Sequence, residues 1–211
     1  MTIRELVAYR ITLFLSLITI SIIQVDRPLA IFIDTHLTAL QEPFRKILSG
    51  IEFLSEYPFS RYIIAALILG AALFLYLRDK SIGRAKIFFF MGAVVVSSRL
   101  VTAVLKIVFD RSRPFVFLND RSIHDFFSGG DSFPSGHATN YFSFFLPLIV
   151  LVPRYKWVLI ILPTFIALQR VVVNEHYLSD VLAGILIASI MTLLFQRIFK
   201  ISPLHNPDSR I

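Results

Sequence analysis

Three clusters in this sequence carry residues that can do chemistry together. Lys106 is followed after six residues by Arg113-Pro114; Pro134-Ser135-Gly136-His137 comes next; Arg170 is followed after five residues by His176 and after three more by Asp180. The set supplies three fixed cations, two imidazoles, a carboxylate and a Ser-Gly turn. It can hold a phosphate, attack it and protonate its leaving group, because phosphoryl transfer is mostly positioning and charge neutralisation. His176 and Asp180 lie four apart at the predicted start of a helix, hence on one face. A carboxylate bonded to one ring nitrogen fixes the tautomer and aims the other nitrogen as a nucleophile. Asp180 also falls in an apolar stretch, where an unpaired charge is expensive. It needs a partner, and His176 is the obvious one.

Each cluster also has a plainer reading. A Lys and an Arg at a helix end commonly anchor it at the membrane interface. Lys106 and Arg113 share a face if the third apolar span continues that far, with Pro114 ending the helix. Arg99 lies seven residues earlier on the same stripe, where structural pairing is expected. Ser135 and Gly136 offer backbone N–H groups at a helix start to an anion, but Ser135 serves equally well as a helix N-cap. Gly136 lets the backbone approach a phosphate closely. Two histidines and an aspartate are also a zinc donor set. The neighbouring cations would repel a dication, so no metal and no other cofactor is expected.

The elements that must position these residues are membrane helices. Of 211 residues, 56% are hydrophobic and 17% charged, and Phe alone contributes 21. A soluble domain has about a quarter charged residues. Cysteine is absent, which excludes disulfides, thiolate catalysis and Cys-based zinc sites. Six apolar spans are predicted, at 11–25, 62–77, 87–105, 138–152, 157–169 and 177–195. Several fall short of the about 20 residues that a bilayer core needs, and flanking aromatic and snorkelling residues such as Tyr9, Arg10, Tyr76 and Arg78 extend them. The first span lacks an Ala-x-Ala-like cleavage site, so it reads as a span and not a cleaved leader.

The net charge is +7. The basic residues are scattered between apolar spans, which speaks against a nucleic-acid partner. With the three motif cations set aside, eleven basic residues fall in segments assigned inside and six in segments assigned outside. That bias puts both termini in the cytoplasm and the motifs on the opposite face, the periplasm in a Gram-negative cell. Residues 26–61 are too polar to span. Leu29, Phe32, Leu37, Phe44, Ile51 and Leu54 recur there at roughly helical spacing, which predicts one or two interfacial helices. They either cap the bundle or form a rim that guides a lipid. The loop from Phe115 to Phe133 either covers the site or selects a headgroup. The tail from Ser202 is short and polar, and disorder is expected there. The whole chain reads as one all-α domain, residues 1–211: an integral membrane six-helix bundle with interfacial helices between the first and second spans.

The three clusters, in this order and with these spacings, resemble the signature motifs of the type-2 phosphatidic acid phosphatase superfamily, which is related to the vanadium haloperoxidases. The resemblance runs from Lys106 to Asp180. It implies that His176 is the nucleophile, that Asp180 orients it, and that His137 protonates the leaving oxygen and then activates water. It implies that Lys106, Arg113, Ser135, Gly136 and Arg170 cradle the phosphoryl oxygens. One departure is visible: the family often has Ser before the third-motif arginine, where this chain has Gln169. The expected function is hydrolysis of a monoester or pyrophosphate on a membrane lipid. Lipid A, undecaprenyl pyrophosphate, phosphatidylglycerophosphate and phosphatidic acid are the candidates. Transfer of the phosphoryl group to an acceptor lipid, and lipid binding or transport without chemistry, are the rival readings. The oligomeric state is not legible.

Overall fold

The computed structural model describes residues 3–52, 60–79 and 82–204. Among them no strand occurs. The helices are α1 (Ile3–Ile20), α2 (Asp26–His36), α3 (Thr38–Glu52), α4 (Ser60–Asp79), α5 (Ile82–Phe109), α6 (Pro114–Asn119), α7 (Gly136–Leu151), α8 (Lys156–Val172) and α9 (Leu178–Ile198). The expected all-α membrane architecture is present. Among the described residues, four stretches are long and apolar enough to cross a membrane: Val7–His36, Ala85–Asn119, Pro153–Val172 and Leu178–Ile198. The apolar stretch Ala66–Arg78 of α4 and the 16-residue α7 are shorter.

The first span does not stop at Val25. A π-helical segment, Ser21–Val25, joins α1 directly to α2. π turns of this kind are frequent at functional sites. Asp26 follows immediately and is buried, so its charge meets protein and not lipid. Ile33 of α2 packs with Ala138 and Phe142 of α7 and with Val171 of α8. The α3 helix closes over the end of α8. Gln169 Nε2 donates to the Phe44 carbonyl at 3.5 Å, Arg45 donates to the Val173 carbonyl at 3.4 Å, and Phe44 stacks on Phe165. Gln169, the departure from the family pattern, thus ties α8 to α3. The expected helices after the first span exist, and both dock on the bundle. Leu54, Lys80, Arg210 and the tail beyond Leu204 lie outside the described residues.

The α9 helix packs against α7, α5, α1 and α8. Small residues make this approach close, as in membrane bundles generally. A Cβ added at Gly184 would lie 2.8 Å from the Ser135 carbonyl oxygen and 2.9 Å from Thr139 Oγ1. Glycine at that position lets the start of α7 sit directly on α9. Arg99, on α5, donates to Asn140 of α7 at 2.8 Å, which answers the expectation of a partner.

Gly184→Ala should therefore lower the thermal unfolding midpoint in detergent, at a cost of about 1–3 kcal/mol. A midpoint equal to the wild type would mean that the α7–α9 contact is not tight there.

Candidate active site

The cation Lys106 sits in the last turn of α5. That helix ends at Phe109, not at Pro114 as the spacing predicts. Asp110 takes a left-handed φ of 43°, and the chain from there is claimed by the following loop. Ser132 N–H donates to the Arg111 carbonyl at 2.9 Å, and Ser112 N–H donates to the Asp125 carbonyl at 2.8 Å. A Cβ at Gly130 would fall 2.1 Å from the Arg111 carbonyl oxygen, so only glycine permits this crossing. Pro114 opens the short α6 helix, with Arg113 as its extended N-cap residue. Lys106 and Arg113 do not share a helical face, yet they converge. Arg113 holds the Asp131 carboxylate with two bonds, at 2.8 and 3.1 Å. Lys106 Nζ lies 3.6 Å from the same carboxylate and also bonds the Asp131 carbonyl.

The third cation joins them through a second carboxylate. Arg170, in the last turn of α8, lies 3.6 Å from Glu175. Arg113 bonds the same Glu175 oxygen at 2.5 Å. The Phe115 N–H donates to the Asn174 carbonyl at 3.2 Å, which pins the start of α6 against the turn that carries Glu175 and His176. So the three cations from two distant motifs are brought together, and Asp131 and Glu175 bridge them.

His176 precedes α9 by two residues and is buried. It is therefore not on one helical face with Asp180, but the two still meet. His176 Nδ1 lies 3.6 Å from Asp180 Oδ2. Ser132 sits between them: its hydroxyl bonds Asp180 Oδ2 at 2.5 Å and lies 3.4 Å from His176 Nδ1. Asp180 Oδ2 also accepts the Tyr177 N–H at 2.8 Å, closing a capping box on α9. Burial pushes the His176 imidazole below the ordinary histidine range, against the opposite pull of Asp180.

The second motif meets the same centre. Ser135 is the N-cap of α7; its hydroxyl accepts from the Ala138 N–H at 3.4 Å, and its own N–H donates to the Asp180 carbonyl at 2.9 Å. A Cβ at Gly136 would have Lys106 Cε as its nearest neighbour, at 3.9 Å. This sets the N-terminus of α7 beside the cations. His137 is the second residue of α7 and is half-buried.

Several residues of the centre escape the sequence reading. The foremost partner of Asp180 is Arg111, whose Nη1 lies 2.5 Å from Asp180 Oδ1. The other nitrogen, Nη2, bonds Asp26 of α2 at 2.8 Å. Both carboxylates and the guanidinium have fully buried side chains. Ser179 bonds both Arg111 and Asp26, and the guanidinium lies over the Tyr177 and Phe126 rings, at 4.1 and 4.7 Å. The available signal was Asp26 itself, a charge that continues an apolar helical run and so demands a buried partner. Nothing comparable marked Ser132, Asp131 or Glu175.

Comparison with known proteins agrees with these motifs. The PAP2 superfamily model matches residues 86–202. The lipid A 1-phosphatase of Rhizobium johnstonii is 38% identical over 121 residues, covering 52% of this chain and 49% of that protein. The chain thus spans about half the length of that relative. The undecaprenyl-diphosphatase of Sulfolobus acidocaldarius is 30% identical, covering 67% of this chain and 66% of its own length. A solved structure, a transmembrane PAP2-type phosphatidylglycerolphosphate phosphatase from Bacillus subtilis, has a TM-score of 0.45 at 21% identity over 91% of this chain and 96% of that chain. With the family model covering more than half of the sequence, including all three motifs, the chain belongs to the PAP2 superfamily.

Proposed function

We propose that this protein is a metal-independent phosphatase for a phosphorylated membrane lipid, acting through a phosphohistidine at His176. The observation that carries the reading is the convergence of Lys106, Arg113 and Arg170 on two carboxylates close to a buried histidine. A phosphoryl group needs the same cations. At an effective dielectric near 20, a unit charge pair at 4 Å is worth about 4 kcal/mol before desolvation. Three such pairs neutralise a dianion without a metal. Asp131 is 61% exposed and can swing into water when the substrate arrives.

The chemistry then runs in two halves. The His176 Nε2 lone pair attacks phosphorus in line with the lipid oxygen. The N–P bond forms as the P–O bond to the lipid breaks, and His137 gives its proton to the leaving oxygen. Next His137 takes a proton from water. The water oxygen bonds phosphorus, the N–P bond breaks, and inorganic phosphate leaves. Asp180, with Ser132, holds the Nδ1 side of His176 throughout. The Ser135 hydroxyl and the Gly136 N–H at the start of α7 complete the cradle.

The same reading has six helices crossing a bacterial cytoplasmic membrane, with both termini cytoplasmic and the site at the periplasmic face. The loop-charge bias supports it. The names of the two relatives give lipid A and undecaprenyl diphosphate as the first substrates to try.

Purified protein in detergent with EDTA should release phosphate from at least one of lipid A, undecaprenyl pyrophosphate, phosphatidylglycerophosphate and phosphatidic acid, and His176→Ala should abolish it. Equal release by the mutant would refute the mechanism, and release only with an added acceptor lipid would indicate transfer. A histidine lowered by burial stays neutral until the pH drops beneath its unfolded value of about 6.5. The acidic limb of kcat/KM should therefore lie below that value. Stability should decline as the pH falls through the same range, because the unfolded chain then binds the proton more readily. A limb above about 6.5 would assign the titration to another group.

Asp131 is held at about 2, first by its bond to Arg113. It stays charged across the working range, and its contribution to stability is lost only as the pH falls from the ordinary aspartate value toward about 2. Asp131→Asn should tighten inhibition by orthovanadate, a phosphate analogue, by roughly two- to fivefold. Unchanged inhibition would mean that Asp131 does not compete for the cations.

A further inference from the structure

We propose that Arg111, clamped by Asp26 of the first helical run, is a positioning residue that aims His176 through Asp180; this inference rests on the reading of His176 as nucleophile. Arg111 is far from a surface role. Its side chain is fully buried, and Asp180 and Asp26 occupy its two terminal nitrogens. It does not point at the cradle: Lys106, Arg113 and Arg170 pair with Asp131 and Glu175, whereas Arg111 pairs with neither.

The geometry gives it two tasks. Asp180 divides its oxygens. Oδ1 goes to Arg111, and Oδ2 goes to Ser132, to the Tyr177 N–H and toward His176 Nδ1. Fixing Oδ1 fixes the carboxylate plane, and with it the direction in which Oδ2 meets the imidazole. The second task is electrostatic. A carboxylate with no cation on its far side would pull a proton onto His176 and block its lone pair. Arg111 offsets that pull. Asp26 holds the guanidinium from the opposite side, and Ser179 bonds Asp26 through both its N–H and its hydroxyl. The helical run Val7–His36, which contributes none of the motif residues, is thereby wired to the nucleophile.

Asp180, Lys106, Arg170 and Asp131 act on His176. Arg111 is faced by Asp26, Asp180 and Asp125, and Asp125 is itself paired with Arg27 at 2.8 Å. Tyr177 lends its ring face. Removing one charge from this set has a definite sign. Loss of the Arg111 cation raises the proton affinity of the Asp180–His176 unit, and loss of the Asp26 anion lowers it.

The test uses the full chain in detergent and the lipid, among the four above, that wild type hydrolyses and His176→Ala does not. No such lipid would overturn the underlying reading, separately from this inference. With one in hand, kcat, KM, orthovanadate inhibition and the acidic limb of kcat/KM are measured for Arg111→Lys, Arg111→Gln and Asp26→Asn. Arg111→Lys keeps the charge but loses the two-sided grip. Its kcat should fall roughly 10- to 100-fold with the limb in place. Asp26→Asn should lower kcat and shift the limb to lower pH. Arg111→Gln, where it folds, should shift it to higher pH. Orthovanadate inhibition should stay near wild type in all three, because Arg111 does not touch the phosphate. The inference is overturned if Arg111→Lys and Asp26→Asn lower only the unfolding midpoint and leave kcat and the limb unchanged. It is also overturned if orthovanadate inhibition weakens in step with kcat, which would place Arg111 in the cradle.

Discussion

One buried guanidinium organises this structure. Arg111 binds carboxylates from two helices that are distant in sequence, Asp26 of α2 and Asp180 of α9. All three side chains are withdrawn from solvent. Each charge is tolerable only because the others are present: removing one partner of a buried pair typically costs about 3–5 kcal/mol. The cluster therefore dictates where α1–α2 and α9 lie relative to the end of α5. It explains why α5 stops at Phe109, since Arg111 must leave the helical path to reach inward. It also explains why the loop folds back, since the Arg111 carbonyl is taken by Ser132 and crossed closely by Gly130.

The cation cradle is built outward from that core. The loop that returns to Arg111 delivers Ser132 to the His176–Asp180 pair and Asp131 to Lys106 and Arg113. The turn before α9 delivers Glu175 to Arg113 and Arg170, and His176 to Asp180. Adjacent residues thus face different tasks. Asp131 and Glu175 lie on the cationic side, while Ser132 and His176 lie on the buried side. Gly184 and the Ser135 cap bring the start of α7 onto the same point. A phosphoryl group held there would meet cations, N–H groups and an imidazole at once. Electrostatic preorganisation of that kind accounts for much of enzymatic phosphoryl transfer.

Much of this was legible in the sequence. The all-helical membrane class follows from composition, and the three motifs mark their own residues. Helix boundaries were less legible, because the apolar pattern says nothing about a π segment that carries α1 into α2. The sharing of a face by Lys106 and Arg113 was inferred from helical spacing and is absent. The two converge through Asp131 instead, a tertiary contact that no local pattern encodes. Asp180 was correctly judged to need a partner, but proximity in sequence favoured His176 over Arg111, 69 positions away. Nothing in the sequence marks Arg111 as the partner of Asp26, because a one-dimensional pattern cannot tell a solvated charge from one buried against its complement. Gln169 illustrates the reverse: its departure from the family pattern is matched by a bond to the Phe44 carbonyl that exists only once α3 docks.

The central claim is that His176 carries the phosphoryl group, and rapid acid-free quenching tests it most directly. Protein mixed with a lipid labelled radioactively in its terminal phosphate would be denatured in base within the first turnover and digested. The account predicts an acid-labile, base-stable label on the peptide that contains His176, in the wild type and, formed and discharged more slowly, in His137→Ala. Turnover with no label on His176 in either protein would contradict it.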